Sequence, residues 1–79
     1  MNNDNPNAPT QKKTILEHLH RFGSIEPLTA LREYGVYRLS AIIYELRKDG
    51  YNIKTDDMEG RSRITGKPVH YALYTLSVA

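Results

Sequence analysis

The sequence contains no cysteine, which excludes a disulfide framework and any thiolate metal site and fits a reducing cytosol. It has no apolar run near the ~18 residues that a membrane span needs, and its mean hydropathy is −0.59. A soluble, cytoplasmic chain with no membrane partner and no secretion signal is expected. Charge of one sign is also scarce: the net charge is +2, so total charge does not argue for nucleic acid and its distribution has to. Catalytic signatures are missing too. There is no nucleophile with a partner base, no Gly-rich phosphate loop and no His or carboxylate cluster at ligand spacing. His18 and His20 stand two apart in a helical stretch, and that spacing sends them to different sides. An enzyme is not expected, and neither is a metal, a cofactor or a small-molecule substrate.

What is present fits one small domain. The 79 residues, 39% of them hydrophobic, can fill a single modest core. Residues 1–9 are rich in Asn and Pro without apolar periodicity and read as a disordered tail. The domain is expected over residues 10–76, followed by a short tail at 77–79. Thr10 suits an N-cap for a first helix, α1, from Gln11 to Phe22, with Ile15, Leu16, Leu19 and Phe22 as its buried stripe and Gly23 as its stop. Ser24 and Ile25 form a short strand, β1. Pro27 then opens α2, where its missing N–H costs nothing, and Glu26 places negative charge at the positive helix end. Leu28, Ala30 and Leu31 are the expected inner face of α2, which ends at Tyr34 because Gly35 can turn the chain sharply.

The stretch from Gly35 to Gly50, GVYRLSAIIYELRKDG, reads as a helix of about three turns, α3. Leu39, Ile42, Ile43 and Leu46 follow i, i+3, i+4, i+7 spacing and should face the core. The opposite side carries Tyr37, Ala41, Tyr44 and Lys48, flanked by Arg38, Ser40 and Glu45. Small and hydrogen-bonding side chains mixed on one face suit a DNA major groove, although any amphipathic surface helix has a polar outer side. A short helix, a Gly-containing turn of three residues (Tyr34 to Val36) and a longer helix form a helix-turn-helix pattern, which an ordinary helical hairpin shares.

After Gly50, Tyr51 to Thr55 alternate as a strand, β2, with Tyr51, Ile53 and Thr55 on one face. Val69 to Leu76 read as β3, with Val69, Tyr71 and Leu73 inside and His70, Ala72 and Tyr74 outside. The intervening Asp56 to Pro68 is a long loop with Gly60, Gly66 and Pro68 as turn formers, the place for a wing. Arg61, Arg63 and Lys67 make it basic where a wing would reach phosphate or minor groove. The alternative is a solvated, floppy hairpin tip. The expected fold is α+β: a winged helix-turn-helix of three helices plus a β-hairpin wing, in the order α1-β1-α2-α3-β2-β3.

The run through ILEHL, GSIEPLTAL, YGVYRLSAIIYELRKDGYNI and YAL resembles the small helix-turn-helix domains common in bacteriophage and prophage genomes. The resemblance spans roughly Gln11 to Leu73 and is most specific at Arg38-Leu39, Glu45-Leu46-Arg47 and Gly50-Tyr51-Asn52-Ile53. It implies DNA binding through the helix at Val36 to Asp49, with DNA-facing roles for Tyr37, Arg38, Ser40, Ala41 and Tyr44. The chain departs from that family at Ile42, where an Arg is frequent, and at Glu26, where a Ser or Thr cap is frequent. Both departures imply a lower affinity for phosphate.

Residue types refine these roles. Arg38 could fork onto guanine or clamp a phosphate, or else pair with Glu33 or Glu45. Ser40 and Tyr44 can bond phosphate or a base edge, and Ala41 can lie against a thymine methyl; Tyr44 could equally be half-buried against the wing. Arg47 and Lys48 could contact phosphate but also complement the negative end of α3, and Lys12 and Lys13 sit against the dipole preference of α1, which hints at phosphate contact, with a solvated surface as the safer reading. The leading reading is a double-stranded DNA-binding protein, a small transcriptional regulator or accessory recombination factor, with a homodimer or a cooperative array expected for tight, specific binding. The alternative is a phage-encoded module that binds a host protein, an inhibitor of an enzyme or defence complex, suggested by Tyr37, Tyr44 and Tyr74 and by the acidic Asp56, Asp57 and Glu59. A third is a homodimerising domain that uses Tyr74, Leu76 and Val78 on a strand edge.

Overall fold

The computed structural model describes residues 10–77. The expected tail at residues 1–9 lies outside them, as does Val78. The elements are α1 (Gln11–Phe22), β1 (Ser24–Ile25), α2 (Pro27–Tyr34), α3 (Leu39–Lys48), β2 (Ile53–Arg61) and β3 (Pro68–Leu76). Local chemistry sets the helix ends. The Lys13 N–H donates to the Thr10 hydroxyl at 3.1 Å, and Gly23 closes α1 through a bond to the Leu19 carbonyl. Both carboxylate oxygens of Glu26 cap α2, accepting from Thr29 N–H at 2.8 Å and Leu28 N–H at 3.2 Å. Glu26 thus performs the capping a Ser or Thr would supply.

Gly35 takes the left-handed conformation at φ 66 and its N–H bonds the Leu31 carbonyl. A Cβ added there would meet no atom within 4 Å, so substitution is opposed by backbone conformation alone. Gly35→Ala should therefore lose about 1–2 kcal/mol, seen in urea denaturation as a lower midpoint with unchanged slope.

The three strands form one antiparallel sheet in the order β1-β3-β2. Its register runs from Ile53 opposite Leu76 to Arg61 opposite Pro68, with Ile25 opposite Tyr74. Helices α1 and α3 close over it around Ile15, Leu19, Leu39, Ile43 and Leu46, with Ile25, Ala30, Val36, Ile53, Tyr74 and Leu76 completing the core. Ile42 and Tyr51 pack at its margin.

Several expectations are corrected. Helix α3 begins at Leu39, so residues 35–38 form the turn and Tyr37 precedes the helix; Val36, 1% exposed, drops into the core and draws its neighbours out of helical geometry. Phe22 is 64% exposed, because α1 ends there and the chain turns away at Gly23. Its ring lies 4.6 Å from that of His18, whose Nδ1 bonds the Tyr34 hydroxyl at 2.7 Å. In α2, Leu28 and Leu31 share one stripe and remain exposed while Ala30 is buried. A step of about 100° per residue sets Ala30 apart from that stripe, and the side of Ala30 meets the core.

The faces of β3 are the reverse of those expected: Tyr74 and Leu76 are buried and Ala72 packs against the core, while Val69 and Tyr71 are partly exposed. Pairing of Leu76 with buried Ile53 sets the phase, and a period of two carries it to Tyr74 and Ala72. Since β3 is the central strand, Tyr74 and Leu76 offer no edge for a dimer. Strand β2 extends beyond Thr55 to Arg61 and leaves a loop of residues 62–67 in place of 56–68. The acid-rich segment has little intrinsic strand preference, but its ladder with β3 imposes one.

Arg47 ties α3 to the start of β2. Its Nε and Nη2 donate to the Ile53 carbonyl at 2.9 and 2.7 Å, and Nη2 also to the Thr55 hydroxyl at 2.7 Å. Arg47→Ala should destabilise the domain by about 1.5–3 kcal/mol in chemical denaturation. Arg47→Lys should restore little, because one ammonium cannot reproduce the planar fork.

Candidate nucleic-acid interface

Arg38 stands at the N-cap of α3, with φ −114 and ψ 59 and no side-chain capping bond. Neither of its expected partners engages it. Among the described residues the Lys and Arg ion pairs are Lys12 with Glu45 and Asp49 and Lys54 with Asp56, and the His70 ring nitrogen hydrogen-bonds the Asp57 carboxylate. The exposed Arg38 guanidinium is thus uncompensated, beside a depression it shares with Gln11, Lys12, Ala41, Ile42 and Glu45. Ser40 and Ala41 follow on the exposed side of α3. Tyr44 is 63% exposed, which overturns the half-buried alternative, and the Lys48 ammonium lies 5.6 Å from its ring centroid, within cation–π range.

Lys12 has a different role from the phosphate contact considered for it. Its ammonium meets Asp49 at 2.7 Å and Glu45 at 3.8 Å, tying α1 to α3. The hydrogen bond that the ammonium donates to Asp49 holds its pKa above the ordinary value; partial desolvation opposes this and the Asp49 and Glu45 charges add to it. A raised folded pKa gives stability that is fully present below the unfolded value, ~10.4, and is lost as pH rises through the folded one. Lys12→Ala should therefore cost the same small stability at pH 6 and pH 8, in parallel urea titrations, with the difference from the parent fading only at strongly alkaline pH.

Tyr37, 84% exposed, overhangs a groove of about 590 Å³ between α2 and the hairpin, lined chiefly by Leu28, Leu31, Val69 and Tyr71. Arg61 lines the same groove, so the entrance to α3 and the root of the wing are brought together. At the hairpin tip, backbone bonds link Ser62 N–H to the Lys67 carbonyl and Gly66 N–H to the Ser62 carbonyl, each at 2.9 Å. The Ser62 hydroxyl accepts from Ile64 and Thr65 N–H at 3.3 and 3.2 Å. Arg61 Nη1 donates to the Gly66 carbonyl at 2.7 Å. Together these bonds brace the tip as a turn. Arg63 and Lys67 are exposed on it without an ion pair among the described residues.

The acids that sat awkwardly in the sequence lie on the stem. Asp57 pairs with His70 at 3.3 Å and Asp56 with Lys54 at 3.8 Å. Four residues of strand put Asp57 ~14 Å from Arg61, beyond the ~8–10 Å screening length of physiological salt; Glu59, two residues away at ~7 Å, is the one acid of the three that stays within reach of the root of the wing. The structure also presents Ile64, 93% exposed at the tip, which did not figure among the candidate residues. A lone large apolar residue inside a Ser-, Arg-, Thr- and Gly-rich turn was the available signal. Among the described residues no three His, Asp or Glu side chains gather as a metal site, and no helix is long and apolar enough to cross a membrane.

A bracing helix, a Gly-led turn, a second amphipathic helix and a basic hairpin beside it define a winged helix-turn-helix. The family profile described as a winged helix-turn-helix domain matches residues 10–79, and the chain belongs to that family. Membership points to double-stranded DNA binding, in a fold that is typically non-enzymatic. No curated protein and no solved structure matches the chain.

Proposed function

We propose that this chain binds double-stranded DNA with α3 in the major groove and the wing on the adjoining backbone or minor groove. Arg38, Ser40, Ala41 and Tyr44 face the bases and nearby phosphates, Tyr37 and Lys48 flank them, and Arg61, Arg63 and Lys67 serve the wing. One observation carries the reading: Arg38 at the start of α3 and Arg61, Arg63 and Lys67 on the wing lie on two elements that meet at one groove, and none of them has a carboxylate partner among the described residues. Unneutralised cations on two adjacent elements are what a phosphate backbone takes up. The biological role that fits is a small cytoplasmic transcriptional regulator or accessory recombination factor of phage or prophage type, acting as a homodimer because one such domain offers few contacts.

A second reading has its own support. Exposed Tyr37 above the apolar groove of Leu28, Leu31, Val69 and Tyr71 suits a protein partner, as in an inhibitor of a host enzyme or defence complex. Fluorescence anisotropy on a random duplex of about 30 base pairs at several salt concentrations separates the two. DNA binding predicts affinity that falls linearly with salt on logarithmic axes, and a weaker complex for Arg38→Ala at unchanged stability. No binding at about 50 mM salt, where nonspecific complexes should be strongest, would favour the protein-binding module.

A further inference from the structure

We propose that Ile64 is an apolar wedge, which the wing inserts from the minor groove between stacked base pairs so that the bound duplex is unstacked and kinked. The inference rests on the DNA-binding reading but adds a separate act to it. Ile64 is 93% exposed, and it stands at the summit of a turn ordered on every side. Its own N–H is held by the Ser62 hydroxyl, that hydroxyl also holds Thr65 N–H, and Arg61 clamps the Gly66 carbonyl beneath. Gly66 at φ 73 closes the turn. A β-branched side chain has few rotamers to lose, so a braced backbone presents it in a defined direction. A core role is excluded by its position, and a merely solvated tip has no use for the most exposed large apolar residue among those described.

The surroundings specify the partner. Arg63 precedes Ile64, Arg61 and Lys67 flank the turn, and no acid occurs anywhere from Arg61 to the end of the chain. One apolar side chain set among cations matches a polyanion with a stacked apolar interior reached through a narrow groove. Minor-groove proteins that bend DNA insert such wedges between base steps and hold the flanking phosphates with cations. An anionic lipid surface shares the charge, but one isoleucine supplies too little apolar area for stable anchoring.

The test uses the full chain on a duplex of about 30 base pairs containing TA steps, which unstack most readily. 2-Aminopurine replaces adenine at those steps, and a donor–acceptor pair at the duplex ends reports bending. The parent should raise 2-aminopurine fluorescence by about twofold or more and increase energy transfer, as an unstacked, kinked step requires. Ile64→Ala should still bind by anisotropy but lose both signals, and Ile64→Met should recover them. Ile64→Lys adds a phosphate contact, so it should bind with a steeper salt slope, by about 0.9 unit, yet unstack nothing. Because the side chain touches no core residue, circular dichroism should show every variant folded.

Binding by both parent and Ile64→Ala with identical fluorescence and energy transfer would overturn the wedge and leave the DNA reading intact. Failure of the parent to bind duplex at any salt would overturn both. Binding to vesicles of anionic lipid but not to duplex, lost in Ile64→Ala, would replace DNA by a membrane as the target and equally overturn the proposal.

Discussion

Replacing Arg61, Arg63 and Lys67 together by alanine is expected to weaken duplex binding about 500-fold at 0.1 M salt and to make the salt slope about 2.7 units shallower. The arithmetic is that of counterion release: each phosphate neutralised contributes about 0.9 unit of slope, hence about 0.9 decade of affinity between 0.1 and 1 M salt. The three residues are not equivalent, however. Arg61 Nη1 bonds the Gly66 carbonyl at 2.7 Å, whereas Arg63 and Lys67 have no ionic partner among the described residues. The Arg63, Lys67 double variant should lose about 1.8 units, or about 60-fold at 0.1 M. If Arg61 only braces the turn, the triple variant will match that slope. If its remaining donors reach a phosphate, the further 0.9 unit or so will appear. Anisotropy titrations at four or five salt concentrations separate these results, and unchanged slopes in both variants would remove the wing from the interface.

The second large effect lies in the core. Ile43 is 1% exposed and stands where α3 packs among Leu19, Leu39 and Leu46. Ile43→Ala should cost about 3 kcal/mol through lost burial and an unfilled cavity, a large part of what a domain of this size possesses, roughly 3–10 kcal/mol. A loss of that size lowers the thermal midpoint by about 12–24 °C. Tyr44→Ala, one position on but pointing outward, should change stability by less than about 0.5 kcal/mol and act only on DNA binding. Thermal denaturation followed by circular dichroism compares the two directly; a Tyr44 variant as unstable as the Ile43 one would mean that the outward face of α3 is structural.

These contrasts depend on α3 having one inward and one outward side, which was legible from residue spacing alone. Other features were equally local. Thr10, Pro27 and Gly35 each act within a few residues, through a side-chain oxygen, a missing N–H or a tolerated positive φ, so their roles as cap, first position and turn could be assigned before any fold was known. Leu39, Ile43 and Leu46 lie on one stripe whatever they pack against. Arg61, Arg63 and Lys67 are basic wherever the hairpin ends.

Tertiary structure decided what depends on a partner distant in sequence. Strand β3 is apolar on both faces, so alternation admits either phase, and only the pairing of Leu76 with Ile53 turned Tyr74 inward. The acid-rich segment of β2 became strand because the ladder with β3 sets Leu73, Ala72 and His70 across from Asp56, Asp57 and Glu59. Burial of Val36 pulled Tyr37 off the helix, Ala30 displaced Leu28 and Leu31 from the core, and Arg47 found its acceptors on the next strand. Lys12 was taken up by Asp49 and Arg38 was left uncompensated, a distinction that no charge count contains. The braced summit carrying Ile64 likewise exists only once the hairpin has closed. Short-range sterics and hydrogen bonds determine where helices begin, stop and face; which side of a strand is buried, and which charge remains unmatched, is settled by the surface that arrives opposite.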